Sequence, residues 1–368
     1  MSINVTRSSM PPFEEFCEEI RPLWESHWLT NNGAKALELQ DALKRYWGCP
    51  QVELFTNGHL ALEAVFAAMG LEGEVITTPF TFASTVHAIT RRGLTPVFCD
   101  IREEDFTLNP ALIEEKITPR TRAIVPVHVY GTLCDTEAID AIAKKHGLKV
   151  IYDAAHTFGV QKDGVSSACF GDAAMFSFHA TKVFHTIEGG AVTCADPEVA
   201  ARLRLERNFG ITGPEDVISV GGNAKMNEFQ AAMGLCNLRH LDAEIEGRKA
   251  VHECYTALLS DMEELRLLRI PENIHHNYAY YPVVVSGGKP TRDAVCAALA
   301  REGIFARKYF YPLITDFECY RGCPGFDSAV LPVAKRVSDS VLTLPLYSDL
   351  PLSEAERIAG ILRKAVRA

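Results

Sequence analysis

The chain has 368 residues, 47% of them hydrophobic, and its 37 basic and 47 acidic side chains give a formal net charge of −10. This length exceeds what one hydrophobic core usually supports, so we expect two packed domains, and the composition excludes a collagen-like or wholly disordered chain. The acidic excess argues against binding to nucleic acid or to an anionic membrane, because either partner requires a clustered basic face.

Short β-branched runs alternate with helical patterns between residues 50 and 195. Several runs are apolar on both faces, which is typical of buried strands in a mostly parallel sheet. The predicted strands are residues 52–56, 75–78, 95–100, 123–129, 149–153, 173–178 and 190–194. The predicted helices are residues 60–69, 84–92, 110–116 and 136–146, the last with Asp135 as N-cap and Gly147 as C-cap. This order predicts an α/β fold.

A long helical pattern over residues 227–255 leads from the sheet region into a mixed C-terminal part. There we predict a strand over residues 278–285 and helices over residues 291–302 and 353–364. We therefore expect a large domain over residues 1–240, including the N-terminal segment, and a small domain over residues 241–368.

The eleven cysteines are an odd number, lie mostly alone in apolar runs and form no CxxC motif. This pattern predicts buried free thiols in a reducing cytoplasm, and no metal site. Residues 1–19 contain four glutamates where a signal peptide would have an apolar core. No uncharged apolar run reaches the roughly 18 residues that a membrane span requires. We predict a cytoplasmic protein that does not bind membranes.

Three features follow predicted strands and suit a ligand with a phosphate, an aromatic ring and an aldehyde. The first is residues 55–59, Phe-Thr-Asn-Gly-His, between a strand and a helix. A helix start offers unpaired N–H groups and a favourable dipole, and Gly58 lets the backbone approach an anion closely. Asn-Gly is also an ordinary tight turn, so this segment alone has two interpretations.

The second feature is Asp153, which an apolar strand delivers to the edge where open α/β sheets bind ligands. Its carboxylate could keep a cationic ring nitrogen protonated, although a helix cap or a structural ion pair would also explain it. The third is Lys182, one lysine among apolar and small residues ahead of Gly189-Gly190. A desolvated lysine has a lowered pKa and can form a Schiff base, whereas a lysine on a surface loop would have no such role.

Together these segments resemble the DegT/StrS family of pyridoxal 5'-phosphate (PLP) dependent nucleotide-sugar aminotransferases. The resemblance covers nearly the whole chain and is most specific in residues 177–190, Ser-Phe-His-Ala-Thr-Lys-Val-Phe-His-Thr-Ile-Glu-Gly-Gly. It implies the PLP-dependent transferase fold (fold type I), with a mostly parallel mixed sheet in the large domain and a smaller α+β C-terminal domain. The other matching segments are residues 29–33, 77–82, 225–230, 311–312 and 344–346.

The resemblance implies catalytic roles for Lys182, which would form a Schiff base with PLP, and for Asp153, the partner of the pyridine nitrogen. Phe82 matches the aromatic residue that stacks on one face of the ring, and Ala155 matches the small residue on the other face. His156 lies where the family places a group near the ring hydroxyl. A ring protonated at nitrogen withdraws electrons, and Lys182 could then shuttle a proton between substrate and cofactor.

Gly58, His59 and Ser177 match the residues that bind the cofactor phosphate in this family. His59 replaces a commoner threonine, which leaves its side-chain contact open while its backbone N–H is retained. Asn227 matches the residue that reaches the phosphate of the neighbouring subunit's cofactor. The resemblance therefore implies a homodimer with shared active sites.

The implied activity is transfer of an amino group from L-glutamate to a nucleotide-linked keto-sugar. Some family members carry histidine in place of the lysine and act as sugar dehydratases, so Lys182 favours transamination. Residues 222–225, Gly-Asn-Ala-Lys, are similar to the subgroup that aminates C-4 of dTDP-4-keto-6-deoxyglucose. Lys225 and Tyr311 are then candidate substrate-binding residues, although Lys225 could also be an exposed lysine at a helix start.

Two alternatives to this activity remain. The enzyme could aminate C-3, or act on a UDP- or GDP-linked keto-sugar, because the loops that orient the sugar cannot be placed from sequence. The chain could also be a non-catalytic regulatory protein of the same fold. Against that, it has no helix-turn-helix with a basic recognition helix, and the set from Asp153 to Lys182 is intact.

Overall fold

The computed structural model describes residues 2–367, which form short strands and α-helices in alternation over much of the chain. The strands are β1 (Ile3–Asn4), β2 (Gln51–Phe55), β3 (Glu74–Thr77), β4 (Thr95–Phe98), β5 (Thr121–Val125), β6 (Lys149–Asp153), β7 (Gln161–Lys162), β8 (Val165–Ser166), β9 (Ala173–Ser177), β10 (Gly190–Cys194), β11 (Leu265–Leu267), β12 (Ile274–His275), β13 (Tyr281–Val285), β14 (Ile304–Phe305) and β15 (Val341–Leu344). The helices are α1 (Phe13–Ile20), α2 (Leu23–Ser26), α3 (Ala34–Trp47), α4 (Gly58–Ala68), α5 (Ala83–Arg91), α6 (Thr136–His146), α7 (Pro197–Glu206), α8 (Glu228–Arg239), α9 (Leu241–Leu259), α10 (Gly288–Arg301), α11 (Pro332–Ser340) and α12 (Leu352–Val366).

The central sheet has seven strands in the order β2-β10-β9-β6-β5-β3-β4. β10 runs antiparallel to its neighbours β2 and β9, and the other strand pairs are parallel. The sheet is therefore mixed and mostly parallel, as the sequence predicts. Because the carboxyl ends of parallel strands meet at one edge, the turns after β2, β6 and β9 lie close together.

The strands of this sheet alternate between two buried cores. Along β9, Ala174 and Phe176 belong to one core, and Ala173 and Met175 belong to the other. Helices α3 and α8 pack on the first face and α4 packs on the second. Burial on both faces explains why the predicted strands are apolar throughout, and it fixes the residues that follow each strand.

A third core joins α9, α10 and α12 to the small antiparallel sheet β11-β13-β15. Ile3 also belongs to this core, because β1 pairs in parallel with β14. In the opposite direction, Phe310 and Leu313 pack into a core of the central sheet. The chain thus crosses between the cores more than once, and the boundary at residue 240 stays a prediction.

Two predicted helices differ from the structure. Residues 227–255 form α8 and α9 instead of one helix, because the backbone of His240, with φ −103° and ψ 2°, leaves the helical range. Residues 110–116 form two 3-10 turns, Pro110–Leu112 and Glu114–Lys116. Asp135 caps α6 and Gly147 ends it in the left-handed conformation, as predicted. None of the helices within residues 2–367 is long and apolar enough to cross a bilayer.

The predicted burial of the cysteines is correct for part of the set. The buried thiols are those of Cys49, Cys99, Cys134, Cys194 and Cys236. The prediction is wrong for Cys169, Cys319 and Cys323, which are exposed. Cys169 ends a 3-10 turn ahead of β9, Cys319 lies in the 3-10 turn Glu318–Tyr320 and Cys323 follows Gly322, so none of the three lies in a strand or an α-helix that packs on a core.

Candidate active site

A cleft of about 670 Å³ opens at the carboxyl edge of the central sheet. Its walls come from the turns after β2, β6 and β9, from the start of α5, and from residues 307–310 of the C-terminal part. Of the site residues predicted from sequence, eight line this cleft: Gly58, His59, Phe82, Asp153, Ala155, His156, Ser177 and Lys182. Lys225, Asn227 and Tyr311 do not line the cleft of this chain.

The turn between β2 and α4 presents a helix N-terminus to this cleft. Asn57 is the N-cap, and its side chain accepts the N–H of Leu60 at 2.8 Å. The N–H groups of Gly58 and His59 have no protein acceptor among residues 2–367. Ser177 closes in from β9, since a Cβ added to Gly58 would lie 3.0 Å from the Ser177 Cβ. These donors form a cradle suited to an anion such as a phosphate.

His59 directs its side chain away from this role. Its Nδ1 lies 2.9 Å from Ser84 Oγ, and its Nε2 lies 3.0 Å from Glu63 Oε1. Both ring nitrogens are therefore engaged within the protein, and the group that His59 leaves for an anion is its backbone N–H. The histidine that replaces the commoner threonine keeps the predicted backbone donor available.

Asp153 is the last residue of β6, and its carboxylate is buried in the cleft floor. Oδ2 accepts the Thr85 hydroxyl at 2.7 Å, and Oδ1 accepts the N–H of Ala155 at 3.1 Å. Burial raises the pKa of Asp153, whereas the bonds from Thr85 and Ala155 and the nearby Lys182 act to lower it. A cationic nitrogen placed here would favour the ionised carboxylate.

Lys182 lies in the loop between β9 and β10, where its N–H donates to the carbonyl of His179 at 2.9 Å. Burial of the side chain lowers the pKa of the Lys182 amine, and the attraction of Asp153 partly opposes this shift. No hydrogen bond or ion pair joins Lys182 Nζ to another residue within 2–367. The amine is thus close to the carboxylate, desolvated and available, as nucleophilic lysines require.

Three further residues shape the space around these two groups. Phe82 precedes α5 and exposes 57% of its surface at the cleft, and Ala155 contributes a small side chain after β6. His156 Nδ1 accepts the N–H of Tyr130 at 3.0 Å, so Nε2 carries the proton of the neutral ring. Burial lowers the pKa of His156 well below its usual value. The ring is therefore a neutral donor for an oxygen in the cleft.

Arg307 and Tyr309 line the cleft but are not predicted from sequence, and neither is Thr85, which bonds Asp153 without lining the cleft. Thr85 is fully buried, donates its hydroxyl hydrogen to Asp153 and accepts the hydroxyl of Thr81 at 2.8 Å. The Arg307 guanidinium bonds the Tyr309 hydroxyl and stacks over its ring, 4.8 Å from the centroid. Arg307 supplies the one guanidinium among the described residues that line the cleft.

The other predicted residues lie elsewhere. Tyr311 packs under the Arg292 guanidinium, 4.4 Å from the ring centroid, and it is Tyr309 that lines the cleft. Lys225 Nζ bonds Asn223 Oδ1 at 2.8 Å and lies over the Phe209 ring.

Asn227 caps its own helix, α8, in a capping box with Gln230. Lys225 and Asn227 are near the molecular surface rather than in their own cleft. Their roles toward a neighbouring subunit, and that of Tyr311 toward substrate, stay predictions.

The cleft has a group for each part of PLP. The free N–H groups at the start of α4 suit its phosphate, and Asp153 suits its ring nitrogen. The Nε2 proton of His156 suits the ring hydroxyl, and Lys182 suits the aldehyde. The close approach required at the phosphate is built in, because a Cβ on Gly190 would lie 2.7 Å from Gly58 N. The residues present therefore fit this cofactor.

Comparison with known proteins supports the same assignment. The chain is 40% identical over 363 residues to the dTDP-4-amino-4,6-dideoxy-D-glucose transaminase of Shigella dysenteriae, with 98% of each chain covered. It is 39% identical over 365 residues to the transaminase of the same name from Escherichia coli, again with 98% of each chain covered.

The crystal structure of DesI with its TDP-sugar product has the same fold, with a TM-score of 0.93 and 34% identity over 99% of this chain and 93% of that one. This similarity confirms the predicted fold class. The model of the DegT/DnrJ/EryC1/StrS aminotransferase family matches residues 13–363, which include every residue that lines the cleft and all seven strands of the central sheet. The chain belongs to the DegT/DnrJ/EryC1/StrS aminotransferase family.

Proposed function

We propose that this chain is a PLP-dependent aminotransferase that transfers an amino group from L-glutamate to C-4 of dTDP-4-keto-6-deoxy-D-glucose, giving dTDP-4-amino-4,6-dideoxy-D-glucose. The observation that carries the proposal is the meeting of Lys182 and Asp153 in one cleft beside a free helix N-terminus. The choice of sugar rests on the relatives from Shigella dysenteriae and Escherichia coli, which are named for it.

Asp153 has the task of holding a proton on the ring nitrogen of the cofactor. When bound, PLP supplies an electron-withdrawing ring that stabilises negative charge on the substrate carbon. A buried carboxylate can hold the ring proton through a charge-assisted bond worth about 1.5–3 kcal/mol. The bonds from Thr85 and Ala155 orient both carboxylate oxygens for this contact.

Lys182 would act as the base for the proton on the substrate carbon. Lys182 would hold the aldehyde of PLP, and its Nζ is the basic group that lies without a protein partner in the cleft of the described residues. Because burial lowers the pKa of this amine, a larger fraction is neutral near pH 7 than for an exposed lysine. Nζ would then be the group in the cleft that takes up the proton of the substrate carbon and returns it.

Arg307 is the group that we assign to the amino donor. L-Glutamate carries carboxylates, and a guanidinium binds a carboxylate through two parallel N–H bonds. Arg307 lies in the cleft wall, and its partner Tyr309 is close enough to Lys182 to influence the Lys182 pKa. One cleft would serve the amino donor and the keto-sugar in turn, so ping-pong kinetics follow.

We further propose a cytoplasmic homodimer in which each subunit completes its neighbour's site. The segment over residues 208–223 carries exposed apolar side chains, among them Val217, Ile218 and Val220, the last 94% exposed. Contiguous exposed apolar side chains are typical of protein interfaces. Lys225 and Asn227 flank this segment outside their own cleft, so a partner subunit is where they could contact the nucleotide diphosphate and the cofactor phosphate.

A second candidate is amination at C-3 or of a GDP-linked sugar, because other relatives are named for such sugars. The test is to incubate the holoenzyme and L-glutamate with 3-keto and 4-keto dTDP-, UDP- and GDP-sugars and to locate the new C–N bond by NMR. We expect amination at C-4 of the dTDP-sugar and none with Lys182→Ala. Exclusive amination at C-3, or normal turnover by Lys182→Ala, would contradict the proposal.

A further inference from the structure

Two thiols far apart in sequence face each other at the opposite end of the central sheet from the cleft. Cys49 lies between α3 and β2, and Cys169 ends the turn that precedes β9. Their Sγ atoms are 2.9 Å apart, although the residues are 120 positions apart in the chain. The proposed reaction does not use this pair of thiols.

Backbone acceptors hold both thiols in this orientation. Cys49 Sγ bonds the carbonyl of Ala168 at 3.2 Å, and Cys169 Sγ bonds the carbonyl of Trp47 at 3.5 Å. Each thiol is thus anchored to the chain segment that carries the other one. Since a disulfide bond is about 2 Å long, the sulfur atoms at 2.9 Å have to approach each other by only about 1 Å.

The two thiols differ in their access to solvent. Cys169 is exposed, whereas Cys49 is buried and its burial raises the pKa of its thiol. A small oxidant can therefore reach Cys169, and Cys49 is the thiol that would act second. An exposed thiol beside a resolving thiol is the arrangement found in redox-sensitive cysteine pairs.

We propose that Cys49 and Cys169 form a reversible disulfide by exchange with a low-molecular-weight disulfide such as oxidised glutathione. The Cys169 thiolate attacks one sulfur of that disulfide and releases one glutathione thiolate. The Cys49 thiolate then attacks the Cys169 sulfur and releases the second glutathione. Two protein thiols are oxidised and one disulfide is reduced to two glutathione molecules.

The disulfide would strengthen the fold without entering the catalytic cleft. It would join the start of β2 to the start of β9, two strands that β10 separates in the sheet. At about 3.3 Å per residue, β9 spans roughly 13 Å from Ala173 to Ser177, and the cysteine pair lies beyond its Ala173 end. A cross-link between residues this distant in sequence restricts the unfolded chain and so stabilises the folded state.

The experiment uses the holoenzyme with the exposed Cys319 and Cys323 replaced by serine, so that these thiols do not react. The protein is incubated with oxidised glutathione or with dithiothreitol, alkylated, digested and analysed by mass spectrometry. We expect a cross-linked peptide pair containing Cys49 and Cys169, two hydrogens lighter than the sum of the two peptides with free thiols, whereas the reduced protein gives two alkylated peptides. The oxidised protein should unfold several degrees higher than the reduced protein, and dithiothreitol should reverse both changes.

Cys169→Ser in the same background is the matched control, because it changes an exposed residue and removes the thiol that reacts first. This variant should show no cross-link and no difference in unfolding temperature between the two treatments. Three results would overturn the proposal. They are a single glutathione that persists on Cys169, a bond from Cys49 to Cys194, or no loss of thiols from the Cys319→Ser/Cys323→Ser protein on treatment with oxidised glutathione.

Discussion

The acid-base properties of Asp153 depend on a residue that does not touch the reacting groups. The carboxylate is buried, which alone would favour its neutral form, and Thr85 offsets this effect with a 2.7 Å hydrogen bond to Oδ2. Thr85 is itself held by Thr81 from the preceding turn. We regard Thr85 as a positioning residue that keeps Asp153 ionised and oriented.

Replacing Thr85 with valine keeps the shape of the side chain and removes this hydrogen bond. The pKa of Asp153 should then rise further, because the Thr85 bond acts to lower it. The carboxylate therefore becomes protonated at a higher pH, and once protonated it no longer stabilises a proton on the ring nitrogen. We expect PLP binding to weaken about tenfold or more, with the loss on acidification starting at higher pH than in the wild type. Fluorescence titration of the apoprotein with PLP at several pH values measures this change.

Thr85→Ser restores the hydroxyl and provides the control for this substitution. It should recover most of the affinity and return the pH dependence toward that of the wild type. A Thr85→Val protein with wild-type affinity at every pH would contradict the role assigned to Thr85.

Arg307 allows a test of which substrate uses which part of the cleft. Arg307→Leu should raise the half-saturating concentration of L-glutamate at least tenfold, because a charge-assisted bond worth about 1.5–3 kcal/mol is lost. The half-reaction of the pyridoxamine phosphate form with the keto-sugar should proceed at nearly the wild-type rate. Stopped-flow absorbance of each half-reaction separates the two effects.

The control for Arg307→Leu is Arg301→Leu, which removes an exposed guanidinium at the end of α10 outside the cleft. It should leave both half-reactions unchanged. If Arg307→Leu slowed the keto-sugar half-reaction and left glutamate binding intact, Arg307 would instead serve the nucleotide diphosphate.

These residues also mark how far the sequence alone predicts the site. Asp153 and Lys182 are recognisable because Asp153 ends a strand with a clear apolar pattern and Lys182 lies in the loop after another such strand. Thr85 and Arg307 carry no such local signal. Thr85 matters because it bonds Asp153, 68 positions later in the chain. Arg307 matters because folding brings it into the cleft wall. Tyr311 and Tyr309 are two residues apart, and only the path of the chain shows that Tyr309 lines the cleft.

At the scale of elements, the anion-binding turn depends on how closely α4 approaches β10. Gly190 pairs with Phe55 in the sheet, and the Asn57–Gly58 backbone crosses directly over it. A Cβ at residue 190 would lie 2.7 Å from backbone atoms of both Asn57 and Gly58. Backbone cannot rotate away as a side chain can, so the start of α4 would have to move.

Gly190→Ala should therefore weaken PLP binding and destabilise the protein by about 1–3 kcal/mol, as overpacking in a buried site does. Urea unfolding and PLP titration report the two effects. Gly360→Ala is the control, because no atom lies within 4 Å of the added Cβ and alanine favours the interior of α12. Equal stability of Gly190→Ala and the wild type would show that the approach of α4 is not limiting.

The elements themselves are largely predictable because burial on both sheet faces leaves a strong apolar signal. The break between α8 and α9 is not, since helical spacing continues across it. Arg239 and His240 at the break bond Glu15 and Glu19 of α1, 220 or more positions earlier in the chain. The spacing of apolar residues reports only local structure and does not reveal a contact between such distant residues. The sequence therefore predicts one helix where the structure has two.

At the scale of the whole molecule, the two-domain description is simpler than the packing. The N-terminal β1 joins the C-terminal core through β14, while residues around Phe310 and Leu313 pack against the large sheet. This exchange brings Arg307 and Tyr309 to the rim of a cleft whose floor belongs to the central sheet. The active site is therefore shared between sequence-distant parts of one chain before any second subunit is considered.

The proposed sharing between subunits can be tested with two variants that are each inactive. Lys182→Ala removes the reacting amine, and Lys225→Ala removes the cation that we assign to the partner's substrate. Lys225 is preferred to Asn227 for this purpose, because Asn227 also caps α8 and its loss would cost about 1 kcal/mol of helix stability.

A mixed dimer has one subunit with Lys182→Ala and one with Lys225→Ala. If Lys225 serves the neighbouring site, one active site of this dimer carries both substitutions and the other carries neither. Co-expression of the two variants under different affinity tags, followed by tandem purification, should then recover amino transfer with about the wild-type half-saturating concentration of sugar. If Lys225 acts within its own chain, each site of the mixed dimer carries one defect and activity stays low. Recovery thus requires that the surface around residues 208–227 reaches across the dimer, which gives its exposed apolar side chains a place in the function.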